Sequence, residues 1–269
     1  MEKVRLDMAA GGKEISSIFA SRPAYNFNSA VVKNGRQAKS DFAGLARSLR
    51  IPYRQGWMIR FSLFKIPVEI QPFFWVTLVL FGGARGADTA DAVFQILLFV
   101  LAGFISILVH ELGHALTARA FGAASQITLQ AFGGLARYSG VRLNRLQSFL
   151  VTAAGPAIQL CLGALVWLLF WFRLLPPVNE NGLYFLSILM VISFVWAIIN
   201  LLPVLPLDGG QLVNAILGPQ RIRITLWISI IVGGLTAVAM FKWQQPYFAL
   251  LLCIFAWQAF QALKEIRWR

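Results

Sequence analysis

Residues 92–120 read AVFQILLFVLAGFISILVHELGHALTARA. From Ala92 to Val109 the run carries no charge, and about 20 apolar residues are enough to take a helix across a bilayer core. It then continues through His110, Glu111 and His114 without losing its apolar neighbours. Ionisable groups at membrane depth are costly unless they have partners. The stretch therefore reads as a membrane-crossing helix that ends in chemistry. Composition points the same way. The chain is 58% hydrophobic and 13% charged, against roughly 45–50% and about 25% in soluble domains, so the apolar excess must face something other than water.

Working outward, five more uncharged runs are candidate spans: Ile70 to Ala84, Leu146 to Phe172, Asn181 to Leu207, Ile224 to Phe241 and Trp243 to Leu263. The expected fold is an all-α polytopic membrane protein with about six transmembrane helices. Placing the N-terminus on the cytoplasmic side puts 21 of the 24 Lys and Arg residues in inner segments, and leaves Arg85, Arg173 and Lys242 outside. Without the 12 in residues 1–67 the split is nine to three with the same sign. This is the pattern of the positive-inside rule, with both termini cytoplasmic. The net charge of +13 is thus read as topology. No zinc-finger or RNA-recognition signature accompanies it, so nucleic acid is not an expected partner.

Residues 1–57 are rich in Gly, Ser, Asn, Lys and Arg without sustained periodicity, and read as a flexible basic cytoplasmic tail. Met58 is an alternative start, which would make the tail non-native. Residues 58–269 form the expected membrane domain. At its beginning Ile59, Phe61 and Leu63 alternate, then Phe64, Ile66 and Val68 alternate in the other phase, the pattern of a short strand pair or interfacial segment. The inner loop from Phe121 to Arg145 is also strand-like around Gln126 to Gln130. Cys161 and Cys253 lie in apolar runs and suggest ordinary membrane-helix residues rather than a disulfide framework.

The chain has two histidines, and they stand four apart, hence on one helix face. With Glu111 between them they match H-E-x-x-H, in which two imidazoles hold zinc and the carboxylate acts as general base. Polar packing between helices is the alternative. A catalytic zinc has three protein ligands and an open position. There is no third histidine, and most of the remaining acids lie in the tail, in outer loops or at span edges, which leaves Asp208. It follows NLLPVLPL at 200–207, where Pro203 and Pro206 must break the helix. Broken backbone at membrane depth is tolerated where it is buried in protein or lines a wet cavity. The alternative for Asp208 is an N-cap of the segment DGGQLVNAIL.

HELGH at 110–114 together with NLLPVLPLDGG at 200–210, in six spans, resembles the site-2 protease family of intramembrane zinc metalloproteases over about residues 58–269. The resemblance implies one zinc held by His110, His114 and Asp208, with Glu111 as base. It implies regulated intramembrane proteolysis, in which transmembrane segments of single-pass or other membrane proteins are cut. By the same resemblance Asn200 helps to hold the substrate backbone or oxyanion, and Phe132, Gly133 and Gly134 belong to a membrane-associated β-hairpin beside the cleft. The alternatives are a helix-terminal hydrogen bond for Asn200 and an ordinary turn for the glycines. AAGPAIQL at 153–160 resembles the family's Gly-Pro motif, but Gln159 stands where an Asn is expected, which puts a polar role there in doubt. The match is to a minimal member, without a recognisable PDZ or CBS domain. The expected compartment is a prokaryotic cytoplasmic membrane, with lipid as surroundings and a homo-oligomer left open. Two rival functions are another membrane zinc hydrolase of the prenyl-protein protease type, and a catalytically silent scaffold or transporter.

Overall fold

The computed structural model describes residues 58–83, 88–131, 133–174 and 179–267. The expected flexible tail at 1–57, Phe132, and the loop with Arg85 lie outside the described residues. Strands β1 (Ile59–Leu63) and β2 (Ile66–Ile70) form a hairpin, with Leu63 paired to Ile66. The two residues between them, Phe64 and Lys65, have φ of 51° and 61°, the left-handed pair that matches the twist of a two-residue hairpin. Arg119 donates to the Phe64 carbonyl and ties this turn to the end of the long helix. A second hairpin joins β3 (Ala124–Gln130) to β4 (Gly133–Ser139), and β2 pairs with β3 in parallel. The result is one four-stranded sheet of order β1-β2-β3-β4. The sequence suggested the two strand regions separately, and the structure adds that they join.

Helix α1 (Pro72–Phe81) starts at a proline and ends at Gly82. Its N-cap, Gln71, donates its backbone N–H to the Leu129 carbonyl of β3. Helix α2 (Ala90–Ala120) carries the opening sequence and is capped by the Thr89 hydroxyl. The sheet lays Ile66, Val68, Ile70, Ile127 and Leu129 against Phe74 and Leu78 of α1 and Ile107, Leu108, Leu112 and Ala115 of α2. This core fixes the sheet beside the H-E-x-x-H turn.

Helices α3 (Arg145–Trp171) and α4 (Glu180–Asn200) pack with α2. A non-helical segment at 201–207 leads into α5 (Asp208–Leu217), which packs on α3. After a 3₁₀ turn, α6 (Ile222–Lys242) and α7 (Pro246–Arg267) form an antiparallel pair. Among the described residues five helices, α2, α3, α4, α6 and α7, are long and apolar enough to cross a membrane.

The expected first span, Ile70 to Ala84, is shorter in the structure. Ile70 is the last residue of β2 and Pro72 opens the helix, so ten residues remain. At 1.5 Å per residue that is about 15 Å, half the hydrocarbon thickness. The expected fourth span, Asn181 to Leu207, is also shortened, because α4 stops at Asn200 before the two prolines. Cys161 and Cys253 lie on exposed helix surfaces.

Candidate metal centre

His110 and His114 project from one face of α2 into a contact with α3 that a glycine makes possible. A Cβ at Gly113 would stand 2.5 Å from the Ala154 carbonyl oxygen, so the two backbones approach more closely than any other residue would allow. The close approach brings α3 groups to both imidazoles. The Val151 carbonyl lies 2.7 Å from His114 Nδ1, and Gln159 Oε1 lies 2.9 Å from His110 Nδ1. Carbonyl oxygens only accept. The Nδ1 of each ring therefore donates, which leaves Nε2 as the atom with a lone pair in the neutral imidazole.

These Nε2 atoms converge. They are 3.1 Å apart, and Asp208 Oδ2 lies 3.0 Å from that of His110 and 3.4 Å from that of His114. All three side chains are buried, and one ligand atom from each fits within 4.8 Å of the others. Among the described residues Asp208 Oδ2 has no hydrogen-bond donor. Two lone pairs and a carboxylate aimed at one point in a dry interior repel unless a cation stands between them. The donor set is two imidazoles and one carboxylate, the chemistry of a catalytic zinc site. The residues present therefore fit a divalent zinc ion.

Asp208 is the first residue of α5 and not its N-cap. Leu207, which has no polar side chain, holds that position, and the Asp208 carboxylate turns inward to the imidazoles. The turn needs Gly209 and Gly210. A Cβ on Gly209 would overlap the Leu201 and Leu202 carbonyls, and one on Gly210 would stand 2.5 Å from Leu205 N.

Glu111 is buried beside the three donors, and its carboxylate accepts a hydrogen bond from the Ala136 backbone N–H of β4. Strand β4 is at the edge of the sheet, so its outward amides are available for this. Gly134 lies against the same side chain, and any Cβ there would overlap Glu111 Cγ, Cδ and Oε1. Gly133 opens β4 with φ 125° and lies against the Trp196 ring of α4. Asn200, the last residue of α4, donates from Nδ2 to the Trp196 carbonyl at 3.1 Å, the helix-terminal bond named as its alternative. The structure thus gathers His110, His114, Asp208, Glu111 and Gly134, sets Gly133 one residue away, and gives Asn200 a bond within its own helix.

Sequence reasoning missed Gly113 and left Gly155 and Gln159 without a role at the site. Gly155 faces His114, where a Cβ would overlap the imidazole; Gly113 sets the helix approach; and Gln159, whose polar role was in doubt, contacts His110. The Gln at 159 was visible as a polar residue in an apolar run, but which helix it faced was not.

A family model described as peptidase family M50 matches residues 98–176 and 176–232. Among curated proteins, one from Synechocystis sp. that bears a zinc-metalloprotease name is 33% identical over 65% of this chain and 51% of its own length. A zinc metalloprotease of Methanocaldococcus jannaschii is 29% identical over 60% of this chain and 45% of its own. The chain spans about half the length of these relatives. In fold it is similar to a solved site-2 protease from Methanocaldococcus jannaschii, with a TM-score of 0.54 and 24% identity over 76% of this chain and 95% of that one. The region matched by the family model carries the H-E-x-x-H turn, the Gly-Pro helix and Asp208 alike, and the chain belongs to peptidase family M50, the family of the site-2 proteases.

Proposed function

We propose that this protein is a zinc-dependent intramembrane endopeptidase that cuts transmembrane segments of other membrane proteins. The observation that carries the reading is the meeting of His110 and His114 with an acid from a distant broken span, with Glu111 buried beside them. Zinc supplies a Lewis acid that polarises the scissile carbonyl and lowers the pKa of water to around 7.

The chain's own residues do the rest. His110 and His114 offer Nε2 because their Nδ1 protons are committed to Gln159 and Val151. Asp208 brings the negative charge that balances a dication. Glu111 takes the proton that the attacking water gives up, holds it, and passes it to the leaving amine. The edge strand β4 borders Glu111 and suits pairing with an unwound substrate strand. Gly134 keeps that border open. The substrate helix must unwind to present a carbonyl, so Gly, Pro or Asn near the cut favours cleavage.

The six-span reading follows if α1 completes a crossing with the sheet, with both termini cytoplasmic and the site toward that side of a prokaryotic membrane. Asp208 as third donor argues against a prenyl-protein protease, for which a later Glu is expected, and the intact Glu111 argues against a silent scaffold. The test is metal content of the detergent-purified protein by mass spectrometry. About one zinc per chain is expected, lost in His114→Ala and Asp208→Ala and kept in Glu111→Gln. Cleavage of a reporter transmembrane segment should fail in all three. A folded natural protein without zinc would overturn the reading.

A further inference from the structure

Gln159 lies in α3 just past Pro156 and is fully buried at 0% exposure. An amide taken out of water without partners costs several kcal/mol, and this one has partners at both ends. Oε1 is 2.9 Å from His110 Nδ1. Nε2 donates to Ser106 Oγ at 2.9 Å and lies 3.4 Å from the Ser106 carbonyl. Ser106 and His110 are four residues apart on α2, so they share a face one turn apart. A single amide from the facing helix reaches both.

The Ser106 hydroxyl is also 3.0 Å from the Ser193 hydroxyl of α4, and both serines are buried. The orientation of the amide follows. The Ser106 carbonyl can only accept, so the nitrogen end of Gln159 belongs there. Oε1 is then left for His110, whose Nδ1 must donate to it.

We propose that Gln159 is the positioning residue of His110: it holds the ring so that Nε2 faces Asp208 and His114, and the Ser106–Ser193 pair keeps the amide from rotating. This inference rests on the zinc reading above. An outer partner of a metal-bound histidine is worth about 10–100-fold in metal affinity. The competing role is plain glue, since a polar side chain can join membrane helices by hydrogen bonding alone.

The two roles part at Gln159→Glu, which keeps an acceptor for His110 Nδ1 but loses the donor to Ser106. Gln159→Met keeps the bulk and loses both. Zinc affinity is measured on the full chain in detergent by chelator competition, with the visible spectrum of the cobalt-substituted protein as a second readout. Positioning predicts a loss of about 10–100-fold in Gln159→Met with altered cobalt bands, and affinity in Gln159→Glu within about threefold of the natural protein. The double variant Ser106→Ala, Ser193→Ala falls between them, and it carries the test with Gln159→Glu if Gln159→Met does not fold. Natural affinity in Gln159→Met, or an equal loss in Gln159→Glu and Gln159→Met, overturns the proposal while leaving the zinc reading intact. A natural protein that binds no zinc removes both.

Discussion

Two glycines separate the parts of the site at the scale of single residues. Gly155 faces the His114 imidazole and Gly134 faces Glu111. A methyl group at either position must displace its neighbour, since atoms at such separations overlap. Gly155→Ala is therefore expected to expel zinc by turning His114 away. Gly134→Ala should keep zinc and lose about 100-fold or more in cleavage rate, because misplaced general bases forfeit that much. Metal content and reporter cleavage, measured on both variants, decide it; zinc retained in Gly155→Ala would sink the first half. The candidate donors and Glu111 were legible in the sequence because ionisable residues in an apolar run need a reason. The glycines were not, because a missing side chain has meaning only once the fold shows what stands opposite it. At Asn200 one Nδ2 hydrogen goes to the Trp196 carbonyl, and the amide has a second donor and an acceptor oxygen besides.

At the scale of elements, the break after α4 does more than interrupt a helix. It turns the chain so that the first residue of α5 enters the site, and the turn is held by backbone lying against Gly209 and Gly210. Gly209→Ala pushes on the Leu201 and Leu202 carbonyls, which cannot rotate away as a side chain can. The expected result is a lower melting temperature and at least about tenfold weaker zinc binding, as Asp208 shifts from its partners. Gly234→Ala in α6 is the control. Nothing lies within 4 Å of its Cβ, and Gly to Ala within a helix stabilises by up to about 1 kcal/mol. Equal zinc affinity in the two variants would mean that the turn does not set the position of Asp208. The prolines made this break readable in the sequence. The joining of the two hairpins was not, because parallel pairing of β2 with β3 depends on residues some sixty positions apart, and no local pattern records it.

At the scale of the whole molecule, the short α1 raises the question of how many times the chain crosses. Composition alone pointed to the membrane and charge suggested an orientation, but neither shows how deep a strand pair can sit. Leu78 of α1 packs where a Cβ on Gly103 of α2 would lie, and Gly82 meets Ile96 and Phe99. The first helix therefore runs alongside the middle of α2, while the sheet packs on Leu108, Leu112 and Ala115 nearer its end. Sheet and helix together cover the length that one longer helix would. If that combined unit crosses, Lys65 in the β1–β2 turn, ahead of α1, and Asp88, between α1 and α2, face opposite sides. Single cysteines at these positions, in a Cys161→Ser, Cys253→Ser background, can be reacted with a membrane-impermeant maleimide on intact cells. Asp88→Cys should label at once and Lys65→Cys only after permeabilisation, as the expected placement of 21 of the 24 basic residues on the inner side predicts. Labelling of both from the same side would make α1 a re-entrant helix and return the count to five crossings.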